Sequence, residues 1–213
     1  MTGWSQEAHE RANTFTHALG FALSVPAVIF LMARALATGD AWHIAGCAIY
    51  GATMLGVYAC STASHFVSHA TWKHRCRQFD QAAIYLFIAG TFTPFAFNYV
   101  RDGWWLLIPV AVWAIALWGA FAKLALEHRI NGVELPVYLL LGWLPILSAP
   151  HVAGVCSFDA LWWMLAGGLC YTAGVWFLKN DYRAWWVHSI WHLLVIAGTA
   201  LHYVAIVLYV HPV

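Results

Sequence analysis

Long apolar runs alternate with short polar segments along the whole chain. A stretch of about 20 apolar residues is needed to cross the hydrocarbon core of a bilayer as a helix. Seven runs approach this length, and they predict helices over residues 18–36, 44–65, 80–100, 104–124, 135–150, 160–178 and 185–210. The pattern therefore predicts an all-α protein, a seven-transmembrane-helix bundle that forms a single integral membrane domain over residues 1–213.

Composition excludes several other classes of protein. The chain is 62% hydrophobic and only 9% charged, whereas soluble domains carry about 25% charged residues. A net charge of +1 gives no basic surface for nucleic acid. The five cysteines are scattered without a Cys-x-x-Cys pair, which excludes a disulfide framework. Residues 1–17 are polar, so we expect no cleavable signal peptide, and the first apolar run should stay in the protein.

Basic residues lie mostly on one side of the predicted bundle. Arg34 and Arg101 fall on one side, and the other eight Lys and Arg fall on the opposite side. These eight are Arg11, Lys73, Arg75, Arg77, Lys123, Arg129, Lys179 and Arg183. Because cytoplasmic loops carry an excess of Lys and Arg, we predict a cytoplasmic N-terminus and a C-terminus outside.

Three of the predicted helices carry polar residues at their cytoplasmic ends. Ser61 and His65 end the second helix, Asp80 begins the third, and His188 and His192 begin the seventh. Residues four apart lie on the same face of a helix. The sequence therefore predicts that these five side chains meet at one membrane depth.

This set of residues is compatible with a metal site. Three imidazoles with one open position form the ligand set of a catalytic zinc site. A pair of histidines four residues apart can bind one ion from a single helix. The carboxylate of Asp80 could orient a water, accept its proton or fix a ligand's tautomer. Ser61 could bind either that carboxylate or the polar head of a substrate.

Each of these residues also has a purely structural interpretation, which the pattern alone leaves open. The histidines could be interfacial side chains in contact with lipid headgroups. Asp80 could be the N-cap of the third helix, which the helix dipole favours. Ser61 could donate to the carbonyl four residues earlier.

The remaining histidines considered are predicted to lie away from this set. His202 is about 21 Å along its helix from His188, at 1.5 Å per residue. Three others fall on the outer side: His43, His151 and His211. Three more fall in cytoplasmic loops: His69, His74 and His128.

Four motifs span nearly the whole chain. They are Glu10 with Asn13, Thr16, His17 and Gly20; Ser61-Thr62 with His65; Arg77 with Asp80, Ile84-Tyr85, Ala89-Gly90-Thr91 and Thr93-Pro94; and His188, Trp191 and His192 with Ala197-Gly198 and His202. In this order they resemble the bacterial hemolysin III family, which is related to the progestin and adipoQ receptors and to the alkaline ceramidases.

The resemblance implies a Zn2+ cofactor near the cytoplasmic face of a bacterial inner membrane. It implies that His65, His188 and His192 bind the metal, and that Asp80 and Ser61 bind or polarise its water. The ceramidase relatives, which have a similar arrangement of residues, are lipid amide hydrolases. The chain departs from the family pattern twice: Ser64 replaces an expected aromatic residue, and Gln81 replaces an expected histidine.

The resemblance leads to one functional expectation and three alternatives. We expect a zinc-dependent lipid amide or ester hydrolase, ceramidase-like, that acts on a lipid or fatty-acyl substrate at the inner leaflet. One alternative is a non-catalytic sensor of lipids or of membrane state with structural zinc. Another is a pore-forming, hemolysin-type protein. A haem protein is disfavoured, because His188 and His192 share one helical face and would compete for the same axial position.

Overall fold

The computed structural model describes residues 3–126, 134–184 and 186–212, with side chains from Glu7 onward. All regular structure in this part of the chain is helical. The helices are α1 (Gly3–Thr38), α2 (Ala41–Phe66), α3 (Ala70–Tyr99), α4 (Leu107–Ala125), α5 (Glu134–Trp143), α6 (Ala149–Val152), α7 (Phe158–Lys179) and α8 (Val187–Tyr209).

Seven of the described segments are long and apolar enough to cross a membrane. The predicted all-α fold with seven spanning helices is thereby confirmed. The fifth span, Glu134–Val152, is a composite of α5, a 3-10 turn over Leu144–Ser148, and α6. Pro145 lies at the start of that turn, and because proline lacks a backbone N–H, it cannot continue the hydrogen bonding of α5.

Two helices extend well beyond their predicted limits. α1 begins at Gly3 instead of residue 18, and α3 begins at Ala70 instead of residue 80. The added turns are polar, and their side chains pair along the helix, as Arg11 does with Glu7 at 2.7 Å. Such pairs four residues apart stabilise a helix without any apolar run. The prediction that His74 lies in a loop is wrong, because it lies within α3.

Three predicted features fall outside the described residues. They are Arg129 and His128, which are predicted to lie in a cytoplasmic loop, and Trp185, which lies at the start of the predicted seventh helix.

α3 is the most enclosed of the seven spans, since 72% of its apolar segment is buried. α2 packs mainly against α1 and α3, α7 packs against α8, and α8 also contacts α1. The helices α1, α3 and α8 begin, and α2 ends, at the same end of the bundle, which we call the N-terminal end. Side chains from these four helices can therefore meet there.

Close packing of α7 on α8 sets the position of α8. Gly167 of α7 lies against the His202 ring, and Gly174 lies against Trp191. A Cβ atom at either glycine would overlap the facing ring, so only glycine permits this approach. Small residues serve the same purpose in other membrane helix pairs. α8 is thereby held with His188 and His192 on the side that faces α1 and α2.

Candidate metal centre

Three histidines from α2 and α8 converge at the N-terminal end of the bundle. One ring nitrogen from each of His65, His188 and His192 lies within 4.8 Å of the nitrogens of the other two. Their ring centroids are 4.7–5.2 Å apart. His192 is buried, and the other two rings are half-buried. The structure thus brings together the three residues predicted as ligands, in an arrangement that could hold a metal ion.

Two of these rings are bound by carboxylates through Nδ1. Glu10 of α1 lies with Oε2 at 2.9 Å from Nδ1 of His65. Asp181, in the connection between α7 and α8, lies with Oδ2 at 3.2 Å from Nδ1 of His188. A carboxylate accepts a hydrogen bond from Nδ1–H and leaves the lone pair of Nε2 free. Metal-binding histidines are usually supported in this way.

The third ring, His192, is bound by a hydroxyl group. Thr16 Oγ1 lies 2.9 Å from Nδ1 of His192 and also 2.9 Å from the carbonyl oxygen of Asn13. Because the hydroxyl donates its hydrogen to that carbonyl, it accepts from Nδ1–H of the ring. All three rings therefore keep Nε2 available. Three neutral imidazoles fit the donor set that zinc prefers.

Glu10 is also the centre of a charged network that joins three helices. Its Oε1 lies 3.0 Å from Lys73 Nζ and 3.4 Å from the Arg77 guanidinium, both on α3. Its other oxygen binds His65 of α2. Glu10 belongs to the first of the four motifs, but its place in the polar segment of residues 1–17 gives no indication of this role.

Asp80 lies in the third turn of α3, beside the end of α2. The Ser64 hydroxyl donates to Asp80 Oδ2 at 2.9 Å, and the Ser61 hydroxyl lies within hydrogen-bonding reach of the same carboxylate. Asp80 also interacts electrostatically with His188. The alternative that Asp80 caps α3 is wrong, because His69 occupies the N-cap position.

Two further histidines, both on α1, border the same cluster. The His17 ring lies against His192, with ring centroids 3.6 Å apart. His9 approaches His188 with a centroid distance of 6.0 Å. Sequence analysis gave neither residue a role. The signal was the spacing of residues 9, 13 and 17, which places them on one helical face.

His202 and His151, which are predicted to lie away from the three-histidine group, lie elsewhere in the structure. The Nδ1–H group of His202 donates to the Gly198 carbonyl oxygen, 2.9 Å away, and His151 stacks on Trp105. None of these belongs to the three-histidine group. All five cysteines are free in the structure.

Comparison with known proteins identifies the family. A family model described as Haemolysin-III related matches residues 5–203. The chain is 34% identical over 203 residues to a hemolysin-3 homolog of Bacillus subtilis (strain 168), covering 94% of this chain and 93% of the relative. It is 33% identical over 215 residues to hemolysin-3 of Bacillus cereus, covering 100% and 97%.

A human relative shows a similar level of identity. The monocyte to macrophage differentiation factor of Homo sapiens is 32% identical over 211 residues, covering 94% of this chain and 84% of the relative. No solved structure gives a significant match. The resemblance expected from the four motifs is confirmed, and this multi-pass membrane protein belongs to the Haemolysin-III related family.

Proposed function

We propose that the protein is a zinc-dependent hydrolase of the bacterial inner membrane that cleaves long-chain lipid amides or esters at the cytoplasmic leaflet. One observation carries the proposal: the Asp80 carboxylate, which accepts a hydrogen bond from Ser64, interacts electrostatically with His188 of a three-histidine group whose Nδ1 atoms are already bound. Support of the rings accounts for the carboxylates of Glu10 and Asp181 but gives no reason for Asp80.

The donor set suits zinc with an open coordination position. Glu10, Asp181 and Thr16 orient the rings so that the Nε2 lone pairs can point to one ion. A zinc ion bound there would supply a Lewis acid for an acyl carbonyl and would make a coordinated water nucleophilic at neutral pH.

Asp80 is the proton carrier in this proposal. The attacking water adds its oxygen to the acyl carbon and loses a proton to the Asp80 carboxylate. The C–N or C–O bond then breaks, and the same proton passes to the leaving amine or alcohol. Hydrogen bonds from Ser64 and Ser61 keep the carboxylate in one orientation. The products are a fatty acid and the released head.

The surroundings of the cluster suit a lipid substrate. Phe66, Trp72 and Phe79 are exposed close to the ends of α2 and α3 that carry His65 and Asp80. Aromatic residues are enriched where membrane meets water. An acyl chain can therefore remain in the hydrocarbon while its polar head reaches the histidines.

The test compares Asp80→Asn with wild type. The amide keeps the size of the side chain and still accepts from Ser64, so zinc content and thermal stability should persist. General base catalysis is worth about 10²–10⁴-fold in rate, so fatty-acid release from a panel of long-chain amides and esters should fall by that factor. Asp159→Asn, at the start of α7, is the matched control and should keep full activity.

Two results would contradict the hydrolase. If Asp80→Asn releases fatty acid as fast as wild type, Asp80 does not transfer a proton in the reaction. If zinc-loaded wild type cleaves no substrate in a broad panel, with His192→Ala as the metal-free comparison, the hydrolase proposal is to be dropped.

A sensor with structural zinc is the second candidate. The Glu10 network favours it, because zinc bound to His65 would stabilise contacts among α1, α2 and α3. This role predicts no turnover and a phenotype that follows zinc occupancy. No contact among the described residues specifically favours the pore-forming alternative.

A further inference from the structure

Buried side-chain nitrogens without a hydrogen-bond partner concentrate on one face of α1. Among the described residues, six buried side-chain N or O atoms lack a partner, and four of them belong to His9, Asn13 and His17. The other two, Nδ1 of His43 and Oδ1 of Asn98, lie at the opposite end of the bundle, where these two side chains interact with each other. Residues 9, 13 and 17 are each four apart, so their side chains form a single stripe along α1.

Both nitrogens of His17 are unpartnered. The residue is only 4% exposed, with its ring between His192 of α8, at 3.6 Å, and Tyr58 of α2, at 5.4 Å. A neutral imidazole carries one donor and one acceptor in either tautomer. His17 therefore offers an N–H group in the interior, directly beside a candidate metal ligand.

Asn13 offers a second donor one turn away. Its side chain is fully buried, and its Oδ1 accepts a hydrogen bond from the Ser189 hydroxyl at 2.7 Å. This bond uses the amide oxygen and leaves Nδ2 unpaired. Asn13 and His17 thus present two N–H donors near the three-histidine group, and His17 is one turn further from the N-terminal end.

Packing alone gives no reason for these donors. More than nine in ten buried polar groups in folded proteins have a partner, and each exception calls for an explanation. An apolar side chain would fill either position without leaving a desolvated N–H. Since these atoms are shielded from bulk water, a molecule that binds at the cluster can supply the missing partner.

We propose that Asn13 and His17 form the binding subsite for the acyl oxygen of a long-chain lipid bound at the His65–His188–His192 group. This inference rests on the proposed function for its ligand class. Two buried N–H donors suit a carbonyl oxygen that gains negative charge during reaction, or the carboxylate of a released fatty acid. His17 and Asn13 are positioning residues for that oxygen.

The probe is palmitate, which has the acyl group but no bond to hydrolyse. Its affinity for the zinc-loaded full-length protein in detergent is measured by tryptophan fluorescence, with zinc content determined on each sample. His17→Phe keeps a stacked ring and removes both nitrogens. Asn13→Asp keeps an acceptor for Ser189 and removes the N–H donors.

We expect each variant to bind palmitate about 10–100-fold more weakly, as for the loss of one hydrogen bond to a charged group. Zinc content should match wild type. His43→Phe is the matched control, because His43 is also a buried histidine but lies at the other end of the bundle. It should bind palmitate like wild type. His17→Gln, which retains a donor, should recover most of the affinity.

Three results would overturn the subsite: wild-type palmitate affinity in both variants, loss of zinc in parallel with loss of palmitate, or no palmitate binding by wild type. If His17→Phe does not fold, the palmitate affinity of Asn13→Asp alone decides whether the subsite exists. Because palmitate cannot be cleaved, a protein that hydrolyses nothing but binds palmitate through His17 would refute the hydrolase and leave this subsite in place.

Discussion

Removal of Glu10 tests whether the support of the ligand rings matters for zinc. Glu10 contributes no nitrogen to the three-histidine group, yet its carboxylate lies 2.9 Å from His65 Nδ1. In Glu10→Leu, this ring loses its acceptor and is free to rotate or to change tautomer. The expected result is weaker zinc binding by a protein that keeps all three ligands.

The size of the effect follows from the contacts of Glu10. The side chain is 21% exposed and the His65 side chain 10%, so the hydrogen bond is largely shielded from water. A hydrogen bond to a charged group is worth about 1.5–3 kcal/mol, which corresponds to about 10–100-fold in affinity. Loss of an outer-shell partner of a metal site costs about the same. In Glu10→Leu, Lys73 also loses the carboxylate that lies 3.0 Å from its Nζ. Its unneutralised positive charge repels the zinc ion and weakens zinc binding further.

The assay is competitive zinc titration against a chromophoric chelator in detergent. Glu10→Gln keeps an acceptor but not the charge, so its affinity should lie between wild type and Glu10→Leu. Glu7→Gln is the control, because Glu7 is an exposed carboxylate on the same helix that pairs only with Arg11 in the described contacts. Equal zinc affinity in wild type and Glu10→Leu would refute the idea that α1 supports the site.

Three other predictions use simpler measurements. Elemental analysis should find close to one zinc per chain, lost in His65→Ala and His192→Ala but kept in His202→Ala; less than about a tenth of an equivalent in wild type would contradict the ligand assignment. A reporter fused after the last residue should be active outside the cytoplasm and one before the first residue inside, and the reverse would refute the topology. Thr16→Val, which replaces a hydroxyl by a methyl group, should weaken zinc binding several-fold through His192, and unchanged affinity would show that the hydroxyl does not hold this ring.

Apolar runs were sufficient to predict the seven spans, because the bilayer imposes a minimum length on each helix. They could not predict where the helices end. The polar turns before residue 18 of α1 and before Asp80 of α3 are stabilised by side-chain pairs and by contacts with other helices. The contacts between helices depend on the tertiary arrangement, and neither kind of contact leaves a hydropathy signal.

The candidate ligands could be predicted because their spacing is local. His188 and His192 share a face of one helix, and His65 ends another helix on the same predicted side. The groups that hold these rings were not predicted, because Glu10 and Thr16 meet them across 55 and 176 residues of sequence. Ser64 illustrates the same limit. In the sequence it is only a departure from the family pattern, whereas in the structure its hydroxyl donates to Asp80.

These contacts make α1 and the metal site interdependent. α1 supplies none of the three candidate ligands, but it binds two of their rings through Glu10 and Thr16 and stacks His17 on one of them. If zinc binds more tightly when α1 is docked, then by linkage bound zinc must stabilise the docking of α1 by the same free energy. A lipid that contacts Asn13 and His17 would act on the same equilibrium. Hydrolysis and sensing would then both depend on the coupling between zinc binding and the docking of α1. They would differ only in whether Asp80 transfers a proton.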